Sequence, residues 1–187
     1  MIMRKNFGSR PCVYPMPVFI IGSYDEKGVA NAMNAAWGGI SEENEISICI
    51  SPEHKTTENI LKRKAFTVSM ATADYVKECD YVGIASGNDV QNKLERCGLH
   101  TERAENVDAP IIVELPMAVE CVLKSYDGET CRLVGEIVNV CADESVLTDG
   151  QIDVRKLRPI TYDPACHGYY VLGEKVGQAF SDGAEIK

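Results

Sequence analysis

Residues 51–58 (Ser-Pro-Glu-His-Lys-Thr-Thr-Glu) concentrate hydrogen-bond donors at one point of the chain. Thr56 and Thr57 each carry a hydroxyl group, and Lys55 adds a compact positive charge. His54 can donate a further hydrogen bond from a ring nitrogen. The residue pattern predicts a strand before this segment and a helix after it, so the first backbone N–H groups of the helix lack partners. Phosphate groups bind at such helix starts.

Ordinary helix capping is the alternative interpretation of the same segment. Either Ser51, which precedes Pro52, or Thr56 would then be the N-cap residue, and Lys55 would only be solvated. Taken alone, the segment favours capping, so a binding site needs support from elsewhere in the sequence.

Residues 30–39 (Ala-Asn-Ala-Met-Asn-Ala-Ala-Trp-Gly-Gly) supply that support. Their small side chains leave the backbone open to close approach by a flat molecule. Asn31 and Asn34 add amide groups beside that surface, and Trp37, the only tryptophan of the sequence, stands at its end. The alternative here is a small-residue strand packed against a helix, with Trp37 in the core.

The eight cysteines stand singly, at positions 12, 49, 79, 97, 121, 131, 141 and 166. Their spacing matches neither a zinc ribbon nor a dithiol redox motif. Most have apolar neighbours, which favours reduced structural thiols over a metal or disulfide framework. Cys166 and His167, even with Cys12, supply too few ligands for a metal site, and we predict a structural or tolerated role for them.

Length and composition limit the class of protein. A chain of 187 residues with 45% hydrophobic residues suits a single domain over residues 1–187. The net charge of -9 argues against nucleic acid as a partner, because neutralising phosphates takes a basic surface. The apolar runs are far shorter than the ~20 residues of a membrane helix, and the first residues do not resemble a signal peptide. We expect a cytoplasmic protein with no membrane partner.

Short apolar runs predict a chain made mainly of strands. Gly28 suits a hairpin loop between the first two, since a short loop commonly needs a positive φ. The predicted strands cover residues 18–24, 29–33, 45–51, 65–70, 117–123, 131–141 and 169–173. The predicted helices cover residues 55–63, 72–86 and 89–97, with part of 144–158, while residues 174–187 carry no assignable pattern. Strands joined mainly by hairpins favour an antiparallel sheet closed into a small barrel over a doubly wound sheet.

Five segments, taken in order, resemble one family of proteins. They are residues 30–37, residues 51–60, residues 66–68 (Phe-Thr-Val), residues 80–87 (Asp-Tyr-Val-Gly-Ile-Ala-Ser-Gly) and residues 114–121 (Glu-Leu-Pro-Met-Ala-Val-Glu-Cys). Together they resemble the flavin reductase-like, FMN-binding split-barrel family, and within it the flavoredoxin-type branch. The resemblance extends over about residues 18–177.

The resemblance implies a mainly β fold: a Greek-key split barrel with appended helices, in a homodimer that holds FMN noncovalently. The segment matching residues 31–37 would line the isoalloxazine ring, and the segment matching residues 51–57 would take the phosphate. Lys93 matches a position at which relatives tend to place a basic residue near the phosphate. The cofactor-binding residues expected in this way are Asn31, Ala32, Met33, Asn34, Ala36, Trp37, Ser51, His54, Lys55, Thr56, Thr57 and Lys93.

Two functions are compatible with such a fold. The leading hypothesis is reduction of free flavin or ferric complexes through bound FMN, with NADH or NADPH as the electron donor. The second is a flavoredoxin-like electron carrier that a partner protein reduces. In both functions the acceptor is a small molecule or a protein, the flavin carries the chemistry, and we expect no catalytic side chain and no metal. A small-ligand module without flavin is a third, more remote interpretation.

Overall fold

The computed structural model describes residues 3–186, and strands dominate it. The strands are Met16–Pro17 (β1), Phe19–Tyr24 (β2), Ala30–Ala35 (β3), Gly38–Glu42 (β4), Glu45–Cys49 (β5), Ala65–Met70 (β6), Thr101–Arg103 (β7), Pro110–Ile112 (β8), Met117–Asp127 (β9), Arg132–Ala142 (β10), Leu147–Thr148 (β11), Gln151–Ile152 (β12), Ile160–Asp163 (β13) and Gly168–Val171 (β14). The α-helices are Lys55–Arg63 (α1), Val76–Ile84 (α2), Lys93–Arg96 (α3) and Val154–Leu157 (α4), and 3-10 turns cover Ala73–Tyr75, Glu144–Val146 and Asp182–Glu185.

Seven strands form the main sheet, in the order β3-β2-β6-β9-β10-β5-β4. Every pairing in it is antiparallel, as the hairpin-rich sequence predicts. The long strands β9 and β10 form its centre, and β10 carries irregularities at Val134/Gly135 and at Ile137/Asn139 that bend the sheet. Gly135 also allows close packing there, because a Cβ atom at that position would lie 2.4 Å from the Phe66 ring.

The core lies on both faces of this sheet, and β2 is buried on both sides. Phe19 and Ile21 face a cluster with isoleucines of β5 and with Phe66. Val18 and Ile20 face the opposite cluster, which α2 covers with Cys79 and Val82. The alternation of side chains along a strand therefore joins two apolar layers.

Helix α1 connects β5 to β6 and has the bounds that the sequence predicts. Ile60, on the inner face of this helix, is fully buried. The helix ends at Lys64, which takes the left-handed conformation with φ 60°, and the Lys64 N–H bonds to Ile60 O at 2.8 Å. This element holds the donor-rich segment against β2 and β3.

Several predicted elements were wrong in length or missing. The helix predicted over residues 89–97 is only α3, and residues 72–86 begin with a 3-10 turn before α2. Region 144–158 contains a short hairpin besides its two helical turns. Strands β4, β7, β8 and β13 were not predicted, because they are short and lack a long alternating pattern.

Two segments at the ends of the chain lie outside the main sheet. Residues 3–15 are exposed, and they lead into a three-stranded sheet of order β1-β13-β14. Residues 172–184 are exposed as well. Among the described residues, no helix has the length and apolar character needed to cross a membrane.

Candidate anion and cofactor site

The start of α1 has no side-chain cap. His54 occupies the N-cap position in an extended conformation, so the expectation of Ser51 or Thr56 as the N-cap residue was wrong. Ser51 bonds to the Glu53 carboxylate instead, and Thr57 donates its hydroxyl hydrogen to Ser51 O at 2.7 Å. The N–H groups of the first turn are left without a side-chain acceptor, as at an anion site.

A buried hydrogen bond joins this helix start to β3. Asn31 Nδ2 donates to Thr56 Oγ1 at 2.8 Å, and both side chains are buried. Because Thr56 Oγ1 is the acceptor, its own hydroxyl hydrogen stays available to a ligand. The two segments that the sequence singles out are therefore in direct contact.

Gly87 closes the site from the loop that follows α2. A Cβ atom at Gly87 would lie 2.4 Å from Asn31 Oδ1 and 3.2 Å from Lys55 Cβ, so only glycine fits without a shift. Asn88 fixes the loop by donating from Nδ2 to Glu53 O at 3.0 Å. The loop, β3 and α1 thus meet at one point.

Lys93 brings a buried charge to the same place. Its side chain is 5% exposed, and Nζ donates to Val82 O at 3.0 Å and to Ala85 O at 2.8 Å. An ammonium group has three hydrogens, so one remains for another acceptor. Burial lowers the pKa of Lys93 to about 8, because the charged form is poorly solvated there.

Two adjoining cavities open between these elements. The first, named the anion cavity, has a volume of about 250 Å³ and the second, the lateral cavity, about 300 Å³. Both are lined by Asn31, Lys55, Gly87 and Lys93. The residues that line the anion cavity alone are Met33, Asn34, His54, Thr56 and residues 82–86.

Lys55 lines both cavities and forms an ion pair with Glu58. Nζ donates to Glu58 Oε2 at 3.0 Å, one turn further along the helix. Glu58 also accepts from Lys62 at 2.8 Å, and these two lysines lower the pKa of Glu58. A bound anion would compete with an exposed carboxylate for Lys55, and such surface pairs are weak.

The rest of the small-residue segment forms a second wall. Trp37 is 57% exposed, so the alternative of a core tryptophan was wrong. With Ala36 and Gly38 it lines a cavity of about 370 Å³. The N-terminal arm lines the same cavity, named the tryptophan cavity, through Pro11 and Val13. Met33 and Asn34 are half-buried at the anion cavity, where Asn34 Nδ2 donates to Cys79 O at 3.1 Å.

Three of the expected cofactor-binding residues, Ala32, Ser51 and Thr57, line none of these cavities. Ala32 is fully buried and packs in the cluster beneath α2. Thr57 is also fully buried, with its hydroxyl used on the backbone of Ser51. The side chains of Ala32 and Thr57 therefore support the walls from behind. These two positions can offer a ligand only their backbone groups.

Comparison with known proteins identifies the family. The family described as "Flavin reductase like domain" matches residues 10–165 of this chain. The chain is a member of the flavin reductase-like domain family.

Solved structures agree with this assignment over nearly the whole chain. Flavoredoxin of Desulfovibrio vulgaris (Miyazaki F) is 38% identical, with a TM-score of 0.93, over 97% of this chain and 100% of its own. Flavoredoxin from Methanosarcina acetivorans is 26% identical, with a TM-score of 0.87, over 97% and 98% of the two chains. A protein of Shewanella frigidimarina NCIMB 400, described as having a split barrel domain, shares the fold at 22% identity, with a TM-score of 0.74 over 87% and 84%. The mainly β split-barrel fold predicted from the sequence is therefore confirmed.

Sequence reasoning missed one wall of the site in this flavin reductase-like domain. Residues 82–87 line the anion cavity, yet only the segment 80–87 as a family motif drew attention to them. Gly87 was the available signal, because it directly follows the predicted helix over residues 72–86, and a glycine at such a position often allows a close approach to the backbone. Its partner across the gap, Asn31, could not be read from the sequence.

Proposed function

We propose that the protein binds FMN and works as an electron carrier of the flavoredoxin type. The observation that supports this most is the cluster of donors at the uncapped start of α1, where Thr56, Lys55 and Lys93 surround one cavity. The likeness to flavoredoxin at 38% identity over nearly the full length supports the carrier role. A flavin reductase acting on NADH or NADPH is the other candidate, supported by the family description.

The residues at the anion cavity suit a phosphate group. Backbone N–H groups of the first turn of α1 and the Thr56 hydroxyl provide neutral donors. Lys93 provides a buried cation that donates to two carbonyl groups and forms no ion pair within residues 3–186, so a bound anion would compensate for the burial of its charge. Gly87 permits the ligand to approach the backbone without a side chain in the way.

The ring system of the cofactor would extend from the anion cavity along β3 towards Trp37. Met33 and Asn34 on this path are half-buried, and Ala36 adds little bulk. Bound FMN supplies the transfer of one or two electrons, and the chain positions it and excludes water. The exposed position of Trp37 leaves one side of this path open to an electron donor or acceptor.

Anaerobic mixing experiments separate the two candidates. FMN-loaded protein is mixed with excess NADH or NADPH, and the flavin absorbance is followed over seconds. A carrier stays oxidised with both nucleotides but is reduced by a low-potential electron-transfer protein. Rapid bleaching by either nucleotide would overturn the carrier role and favour the reductase. A protein that stays colourless after FMN supplementation would refute both.

A homodimer is part of the same proposal. Several large apolar side chains are exposed on the body of the domain, and a second copy of the chain would cover them. They are Val29, Ile40, Ile84, Val138 and Val140. Val176 and Phe180, on the C-terminal segment, are exposed as well. Light scattering at micromolar concentration should give twice the mass of the chain, and a monomer would contradict the proposal.

A further inference from the structure

The N-terminal arm and the turn between β13 and β14 run beside each other. Strand β1 pairs with β13 in antiparallel register, with Met16 opposite Tyr162. Beyond this pairing, the Tyr14 hydroxyl donates to Asp163 Oδ1 at 2.6 Å. Four residues before Met16 is Cys12, and four residues after Tyr162 is Cys166. The two segments thus bring one exposed cysteine each to the same edge of the small sheet.

One carboxylate connects the arm to the Cys166 thiol. Asp163 accepts from Tyr14 through Oδ1, and Cys166 Sγ donates to Oδ2 at 3.1 Å. Cys166 Sγ also lies 3.5 Å from the Tyr170 hydroxyl. The hydrogen bond to Asp163 raises the pKa of Tyr14 to about 12, and both Cys12 and Cys166 add to this shift. The Asp163 carboxylate therefore contacts both the arm, through Tyr14, and the turn, through Cys166.

Other cysteines differ from these two in their surroundings. Cys79 and Cys121 are buried, and burial raises the pKa of each thiol to about 12, which keeps them protonated and inert. Cys49 is exposed, but it lies on β5 opposite Arg132. Cys166 is an exposed thiol that donates to the Asp163 carboxylate, and Cys12 is an exposed thiol on the arm that the same carboxylate binds through Tyr14.

We propose that Cys12 and Cys166 form a reversible disulfide that fastens the N-terminal arm to the β13–β14 turn. The oxidant is a small-molecule disulfide such as oxidised glutathione. The Cys12 thiolate attacks one sulfur of that disulfide, forming a mixed disulfide and releasing one thiolate. The Cys166 thiolate then attacks the Cys12 sulfur and releases the second. Two electrons pass to the oxidant, and the two released thiolates take up the two protons that the cysteines lose.

The disulfide would fix one wall of the tryptophan cavity. Pro11 and Val13 flank Cys12 and line that cavity together with Trp37. A fastened arm holds this wall in place, whereas reduction frees it to move. Only this consequence rests on the proposed FMN site, because the disulfide itself forms with or without a cofactor.

Peptide mass mapping tests the pairing in the full chain. The folded protein, with and without FMN, is treated with oxidised glutathione, alkylated and digested without reduction. Trypsin, which does not cut before proline, yields residues 6–27 and 157–175, each with one cysteine. We expect these two peptides joined, and the intact protein lighter by two hydrogen atoms. The Cys49→Ser variant should give the same joined peptides.

Single variants make the outcome decisive. Cys12→Ser and Cys166→Ser should each keep one glutathione on the remaining cysteine, since the resolving thiol is gone. A wild-type protein that retains a glutathione on both Cys12 and Cys166 would overturn the proposal, and so would peptides joined only between two chains. A protein that forms the disulfide but fails to bind FMN would refute the proposed function alone.

Discussion

Asn31 Nδ2 and Thr56 Oγ1 lie 2.8 Å apart in a buried hydrogen bond that ties the small-residue strand β3 to the first turn of α1. The bond orients the Thr56 hydroxyl towards the anion cavity side of the helix start, which Asn31 also lines. Two stretches that are separated by twenty-five positions in the sequence thereby form one site.

Replacement of Lys55 and Thr56 together with alanine tests the phosphate position. The double variant should bind FMN more weakly by about 3 kcal/mol or more, because each hydrogen bond to a charged group contributes about 1.5–3 kcal/mol. Quenching of Trp37, the only tryptophan, provides the titration signal. Lys62→Ala is the matched control, since Lys62 lies on the same helix and pairs with Glu58 and Glu26. Equal FMN affinities of the double variant and the wild type would show that the phosphate binds elsewhere.

Gly87→Ala should disturb the site without adding or removing a charge. The new methyl group would lie 2.4 Å from Asn31 Oδ1, so the asparagine must move and its bond to Thr56 weakens. We expect a loss of about 1–3 kcal/mol in the free energy of unfolding and roughly tenfold weaker FMN binding. Calorimetric titration and urea unfolding measure both. Gly39→Ala, where a Cβ would meet nothing within 4 Å, should change neither.

Lys93 should make the stability of the cofactor-free protein depend on pH. Its pKa is about 8 in the folded chain and about 10.4 when unfolded. Above pH 8 the unfolded chain therefore holds more protons at this lysine. The free energy of unfolding should rise between pH 8 and about 10, by up to about 3 kcal/mol.

The Lys93→Met variant isolates this contribution. Methionine does not titrate, and the two carbonyls that lose a donor, Val82 O and Ala85 O, give an offset that is independent of pH. The difference in unfolding free energy between wild type and variant should hence change across this window. With saturating FMN, this difference in unfolding free energy should vary less with pH, because the phosphate keeps Lys93 protonated. A difference that stays constant without FMN would contradict the lowered pKa.

Glu120 should stabilise the fold as a carboxylate. It is 1% exposed and accepts from Asn106 N at 2.7 Å, Asn106 Nδ2 at 3.1 Å and Asn139 Nδ2 at 2.7 Å. Burial alone would raise the pKa of Glu120, but the hydrogen bonds from Asn139 and Asn106 outweigh it and lower the pKa. Its contribution is thus present above the unfolded value of about 4.3 and is lost as pH falls through the folded pKa.

Glu120→Gln should lower the free energy of unfolding at pH 7 by about 1–3 kcal/mol, because an amide NH₂ then faces N–H donors. The difference from wild type should be smaller at a pH below the unfolded value of about 4.3, because the native carboxylate is protonated progressively as the pH falls through its lowered pKa. Urea unfolding at both pH values gives the comparison. Glu105→Gln, at an exposed neighbouring position, should have no measurable effect at either pH.

Local sequence patterns identified the elements whose formation depends on nearby residues. The bounds of helix α1 were predicted correctly, because its apolar spacing and its flanking strands are close together in the sequence. The hairpin at Gly28, with φ 80°, was confirmed for the same reason. The order of the five family segments fixed the fold class, because it extends over most of the chain.

Tertiary contacts decided the rest. The capping alternative was wrong, because α1 begins at Lys55 and Thr56 lies inside its first turn, where its hydroxyl oxygen accepts from Asn31 of another element. Lys93 could be named from the resemblance, but its burial against the carbonyls of Val82 and Ala85 depends on how α3 packs under α2. The proposed pairing of Cys12 with Cys166 likewise rests on the β1–β13 register, which joins two segments that are far apart in the sequence. Spacing along a sequence carries the local propensities, whereas such distances are set by the packing of distant segments into one core.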